Sequence, residues 1–113
     1  MIYWEVKMSE RKVIKLGQHG ASMGPRELGN TIREEALLDI KQGFDVLFDF
    51  SGISVISSAF ADEVFGKLFV ELGEETFKNS VKVNNFDNED SKKTILLVIN
   101  NGIMFRKKQN LQK

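Results

Sequence analysis

Asp49-Phe50-Ser51-Gly52-Ile53-Ser54-Val55-Ile56-Ser57-Ser58-Ala59-Phe60-Ala61-Asp62-Glu63-Val64-Phe65-Gly66-Lys67-Leu68 is the stretch on which the reading of this chain turns. It opens at the end of a short apolar run, Phe44 to Phe50, whose β-prone residues suit a central strand covered on both faces. Ser51-Gly52 has the composition of a turn. A short apolar step leads to Ser57-Ser58, and Ala61, Val64, Phe65, Leu68, Phe69 and Leu72 then recur at helical spacing. The segment reads as strand, turn, serine pair and amphipathic helix. A hydroxyl pair at a helix start can cap the helix, bind an anion or accept a phosphate.

The same reasoning extends in both directions. Glu63–Lys67 and Lys67–Glu71 are spaced i,i+4 and are expected on the outer side of this second helix. Gly73 ends it, Glu74 to Asn79 is a short connecting turn or scrap of helix, and Val81-Lys82-Val83 alternates as a strand does. Upstream, Pro25 suits the first position of a helix, where a missing N–H costs nothing. Leu28, Ile32, Ala36 and Ile40 follow at spacing four, with Leu37 widening the stripe, and Gln42-Gly43 closes the helix. The loop Gly17 to Gly24 holds three glycines, consistent with sharp turning or close backbone approach. It has neither the Lys-Ser/Thr of a P-loop nor the spacing of a dinucleotide fingerprint, so it reads as a turn that presents Met23 to a partner.

Before that loop lie two β-like patches, Ile2 to Val6 and Lys12 to Leu16, with Ser9-Glu10 placed to turn them into an antiparallel pair. At the other end, Asp87-Asn88-Glu89-Asp90-Ser91 offers caps for a third helix carrying Ile95, Leu96, Val98, Ile99 and Ile103. Ile95 to Ile99 alone would suit a strand equally well. The acids before it and the lysines after them favour helix. The order β-β-α-β-α-β-α indicates an α/β layer fold, a mixed sheet of about four strands with helices packed on it.

One domain fits 113 residues. Without cysteine there are no disulfides, thiolate metal sites or cysteine nucleophiles, and His19 is the only histidine, so a multi-histidine metal site within one chain is excluded. Sixteen basic residues balance sixteen acidic ones, which argues against nucleic acid as the partner. The end of the chain, Arg106 to Lys113, carries four cations and no acid, as a solvated helix end does. No apolar run is long enough for a membrane span and no signal-peptide pattern opens the chain, so a cytoplasmic protein is expected.

From Gly24 to about Asn101 the chain resembles the bacterial STAS-like domains of unknown function, relatives of the STAS fold of anti-sigma-factor antagonists. The resemblance rests on Pro25-Arg26-Glu27-Leu28-Gly29 with Ile32-Arg33, on Leu47-Phe48-Asp49-Phe50-Ser51-Gly52-Ile53, and on Ile56-Ser57-Ser58-Ala59-Phe60-Ala61-Asp62-Glu63. Phe65-Gly66-Lys67-Leu68 and Val83-Asn84 complete it. It implies partner binding rather than turnover, with a GHKL-type ATPase or kinase as the companion. The antagonists are switched off by phosphorylation of a serine in an Asp-Ser-Ser-Gly signature at a helix start. Laid without gaps over this chain, that signature places Ser57 on the Asp, Ser58 on the first Ser, Ala59 on the phosphoacceptor and Phe60 on the Gly. A shift of one residue would bring Ser58 to the accepting position.

Capping is therefore the first role assigned to Ser57 and Ser58, and a regulatory phosphosite the second. Asp49 at its strand end is expected to accept turn N–H groups around Ser51-Gly52. Asp49, Asp62 and Glu63 lack the companions of a catalytic constellation, so neither an enzyme nor a cofactor is expected. The aromatics read mostly as core, except Phe60, expected at an exposed docking face. Met23, Arg26, Ser51, Gly52, Ser54, Phe60 and Asp62 form the expected partner surface. The alternative function is an oligomerising or structural subunit of a larger complex, such as a stress or phage-defence system, with Tyr3, Trp4 and the basic tail in self-association.

Overall fold

Helices alternate with strands along the chain, and a strand that returns after a helical crossover enters its sheet from the same end, which makes the pair parallel. The computed structural model describes the backbone of residues 10–111 and the side chains of residues 10–102. In chain order the elements are β1 (Arg11–Lys15), a 3₁₀ turn (Leu16–His19), β2 (Ser22–Met23), α1 (Arg26–Lys41), β3 (Asp45–Asp49) and β4 (Val55–Ile56). There follow α2 (Ser58–Ala61), a π-turn (Asp62–Gly66), α3 (Lys67–Leu72), α4 (Glu74–Ser80), β5 (Val81–Asn84) and α5 (Glu89–Leu111).

The main sheet has the order β1-β3-β5 and both of its ladders are parallel. Ile14 lies beside Phe48, and Phe48 beside Val83. A second, two-stranded parallel ladder joins β2 to β4, with Met23 beside Ile56. Among the described residues the main sheet thus has three parallel strands rather than a mixed set of about four. The hairpin partner expected at Ile2 to Val6 lies outside the described residues.

One face of the sheet carries Ile14, Val46, Phe48 and Val81, all buried against the helices. On the other, Val13 is 48% exposed beside Leu47, itself beside Lys82. The expectation that β3 is covered on both faces is corrected: Asp45, Leu47 and Asp49 are only half-buried, because the helices pack on the opposite side. The core is built from phenylalanine. Phe48 meets Phe65 edge-on at 4.8 Å between ring centroids, Phe50 stacks on Phe86 at 4.4 Å, and Phe69 meets Phe77 edge-on at 5.3 Å. Such pairs add about 0.5–1.5 kcal/mol each beyond the area they bury.

The helix expected on Leu28, Ile32, Ala36 and Ile40 is α1, which buries Gly29, Ile32, Ala36 and Leu37 and half-buries Leu28 and Ile40. Pro25 stands at its N-cap, one position earlier than expected, and Gly43 takes φ +97° just beyond its last turn. The ambiguous run Ile95 to Ile99 is helical, within α5. Asn88 caps that helix by accepting the Ser91 N–H at 2.8 Å.

Candidate functional site

Three loops meet where β3 ends. Asp49 Oδ1 accepts the Ser51 N–H at 2.9 Å, the Ser51 hydroxyl at 2.7 Å and the Asn85 amide at 3.1 Å. The Ser51 N–H, followed by the Ser51 hydroxyl and Asn85, holds the Asp49 carboxyl below the usual carboxylate range. The turn-bonding role expected of Asp49 is therefore found. Gly52 takes φ +81°, a conformation that favours glycine, and its N–H donates to Asp87 Oδ2 at 2.9 Å. Gly17 lets the 3₁₀ turn approach this corner, since a Cβ there would lie 2.7 Å from the Ser51 carbonyl oxygen.

The chain from Ser54 to Ser57 is pinned in the same way. The Ser54 and Val55 N–H groups both donate to the Ala21 carbonyl, at 2.9 and 3.3 Å, and the Ser57 N–H donates to the Met23 carbonyl at 2.9 Å. From the other side the Asn88 amide donates to the Ser54 carbonyl at 3.1 Å. Ser57 Oγ donates to the Gly24 carbonyl at 2.8 Å and accepts the Phe60 N–H at 3.0 Å. Ser57 is the helix cap. Ser58, the first residue of α2, is exposed.

Below this edge lies an ion cluster that sequence reasoning did not find. Arg33 Nη1 donates to Glu63 Oε2 at 2.7 Å and to the Glu63 carbonyl at 2.6 Å. Lys67 Nζ and Arg26 Nη1 reach Glu63 Oε1 at 3.0 and 3.2 Å, and Arg26 also meets Asp62 Oδ2 at 3.3 Å. The Glu63 and Arg33 side chains are only 8% and 12% exposed. The expected Glu63–Lys67 pair exists, but Glu63 is buried rather than on the outer side. The π-turn lies within the Ser58–Leu72 helical stretch, and α1 packs against it. The Arg33 guanidinium first, then Lys67 and Arg26, overcome the burial penalty and pull the Glu63 carboxyl down to about 2. A sequence signal was present in Gly29, inside α1 and on the same face as Arg26 and Arg33 at spacings three and four. A Cβ there would sit 3.0 Å from Glu63 Cβ and 3.3 Å from the Phe60 carbonyl oxygen.

Of the expected partner-surface residues, Ser51, Gly52, Ser54, Arg26 and Asp62 are exposed. Two are corrected. Phe60 and Met23 have no exposed surface. Phe60 turns inward because the Ser57 cap fixes the first turn of α2 with position 60 on its core side, and Met23 lies in the β2–β4 ladder with its side chain in the core. Val55, not singled out from the sequence, takes their place as the exposed apolar residue of this edge, at 57%. No group of three or more His, Cys, Asp or Glu side chains that could hold a metal ion occurs among the described residues. None of the described helices is long and apolar enough to cross a membrane.

The family profile described as STAS-like domain of unknown function (DUF4325) matches residues 29–91, more than half of the chain. The chain belongs to that family. The matched span of this STAS-like domain runs from the glycine that admits Glu63 to Ser91, whose N–H donates to the capping Asn88. It includes β3, the pinned turn and the whole Ser58–Leu72 helical stretch. No curated protein and no solved structure is detectably similar to the chain.

Proposed function

We propose that this STAS-like domain is a non-catalytic regulatory module that docks a protein partner, a GHKL-type ATPase or kinase, through the edge from Ser51 to Asp62. The observation that supports this reading best is how the edge is held. Val55 is 57% exposed between Ser54 and Ile56, and the flanking backbone is bonded to the loop before α1 and to the segment before α5. A surface fixed before the partner arrives loses little conformational entropy on binding. Glu63, the buried carboxylate among the described residues, is saturated by three cations and stays ionised at neutral pH, which suits a fixed structural charge better than a proton carrier.

Ser58 is the candidate phosphosite on this edge. It lies one helical turn before Asp62, and a phosphate there would bring about two negative charges beside that carboxylate. The added charge would compete with Asp62 for Arg26 and oppose any acidic partner surface. Titration of the purified chain against the GHKL-type ATPases of its native host tests the proposal. Binding is expected for at least one of them, weakened at least about tenfold by Val55→Glu and by Ser58→Glu. Absence of binding to all of them, or binding of both variants as tight as that of the wild-type chain, would refute it.

A further inference from the structure

We propose that α5 is the seam of a twofold homodimer, in which two copies of the helix pack antiparallel through the face bearing Leu96 and Leu97. The proposal concerns a different surface from the docking edge and does not rest on it. Along α5 the inner face is Ser91, Ile95, Val98 and Gly102, all buried. Gly102 brings this face close to α3, since a Cβ there would lie 3.1 Å from the Phe69 ring. With the inner face spent on the core, the outer face carries Lys92, Lys93, Leu96, Leu97, Asn100 and Asn101, all exposed. Leu96 and Leu97 are 52% and 60% exposed, side by side in the middle of the helix. Two adjacent exposed leucines on a helix that already has a complete buried face form a second, small apolar patch.

Charge says what covers it. The first turn of α5 is acidic, with Glu89 and Asp90, and its last turns carry Arg106, Lys107 and Lys108. That distribution suits the dipole of each helix alone, and an antiparallel pair makes the same charges attract across the seam at both ends. A parallel pair would instead set acid against acid and base against base. Aligning Glu89 with Lys108 and Asp90 with Lys107 puts the twofold axis between Val98 and Ile99. Leu96 and Leu97 of both copies then fall within about 4 Å of that axis along the helix. The seam is self-complementary, as a twofold interface must be. A helix about 34 Å long and about 10 Å wide covers only a few hundred Å² per copy, so the dimer is weak and reversible.

Sedimentation equilibrium of the full chain up to about 0.5 mM tests this, with circular dichroism confirming that each variant folds. The wild-type chain is expected to dimerise, and L96E/L97E to raise the dissociation constant at least about tenfold. E89K/D90K makes both helix ends basic and K107E/K108E makes both acidic. Each is expected to be monomeric alone, and an equimolar mixture of the two to form a heterodimer. A monomeric wild-type chain, a dimer indifferent to L96E/L97E, or a mixture that stays monomeric would each overturn the proposal.

Discussion

Glu63 shows how one side chain can join two elements. Burying a carboxylate is unfavourable unless cations and N–H groups replace its water, and here Arg33, Lys67 and Arg26 do so. Removing the carboxylate would leave the part-buried Arg33 guanidinium with the Glu63 carbonyl, Asn30 and a longer contact to Glu34 at 3.8 Å as its remaining partners. Glu63→Ala is expected to lower unfolding free energy by about 2–4 kcal/mol in urea titrations at pH 7. Because the folded carboxyl is held near 2, below its ordinary 4.5, its contribution is complete above pH 4.5 and disappears as pH falls toward 2. The gap between wild type and Glu63→Ala should therefore shrink across that window, and a gap constant with pH would contradict the assignment. Gly29 is the complement. Alanine there would gain about 1 kcal/mol of helix propensity, but its Cβ would press on a Glu63 that three cations prevent from moving. Gly29→Ala is expected to be destabilising by about 1 kcal/mol net, read as a lower melting temperature.

At the scale of elements, Ser57 does two things with one hydroxyl: it caps α2 through the Phe60 N–H and ties that helix to the loop before α1 through the Gly24 carbonyl. Ser57→Ala is expected to cost about 1–2 kcal/mol in chemical denaturation, whereas Ser58→Ala, at an exposed position, should stay within about 0.5 kcal/mol of wild type. The reverse order would mean that Ser58 is the cap. Elements with a local signature were legible in the sequence. The spacing of Leu28, Ile32, Ala36 and Ile40 gave α1, the apolar run to Phe50 gave β3, and the acids before Ile95 gave the start of α5. What escaped was non-local. Nothing in Arg26, Arg33 and Glu63 taken singly says that α1 lies over a π-turn thirty residues later, and two-residue strands such as β2 and β4 carry no period to detect. The exposure expected of Phe60 failed for a related reason, because a one-residue difference in where the cap falls decides which side of the first turn faces the core.

For the molecule as a whole, the three parallel strands and their crossovers put the loops that follow β1, β3 and β5 at one end of the sheet. The Asp49, Asn85 and Asp87 side chains then fasten two of those loops together. That end, rather than the half-open face of the sheet around Val13, is the part of the domain with a preset shape. Docking there should leave a footprint continuous in space but broken in sequence. Hydrogen–deuterium exchange of the domain, alone and saturated with a GHKL-type ATPase of the kind proposed as its partner, measures this directly. Slowed exchange is predicted for the amides of residues 51–58 together with residues 21–26, and little change along α1 beyond its first turn. Protection confined to other surfaces, with residues 51–58 exchanging as in the free domain, would contradict the account.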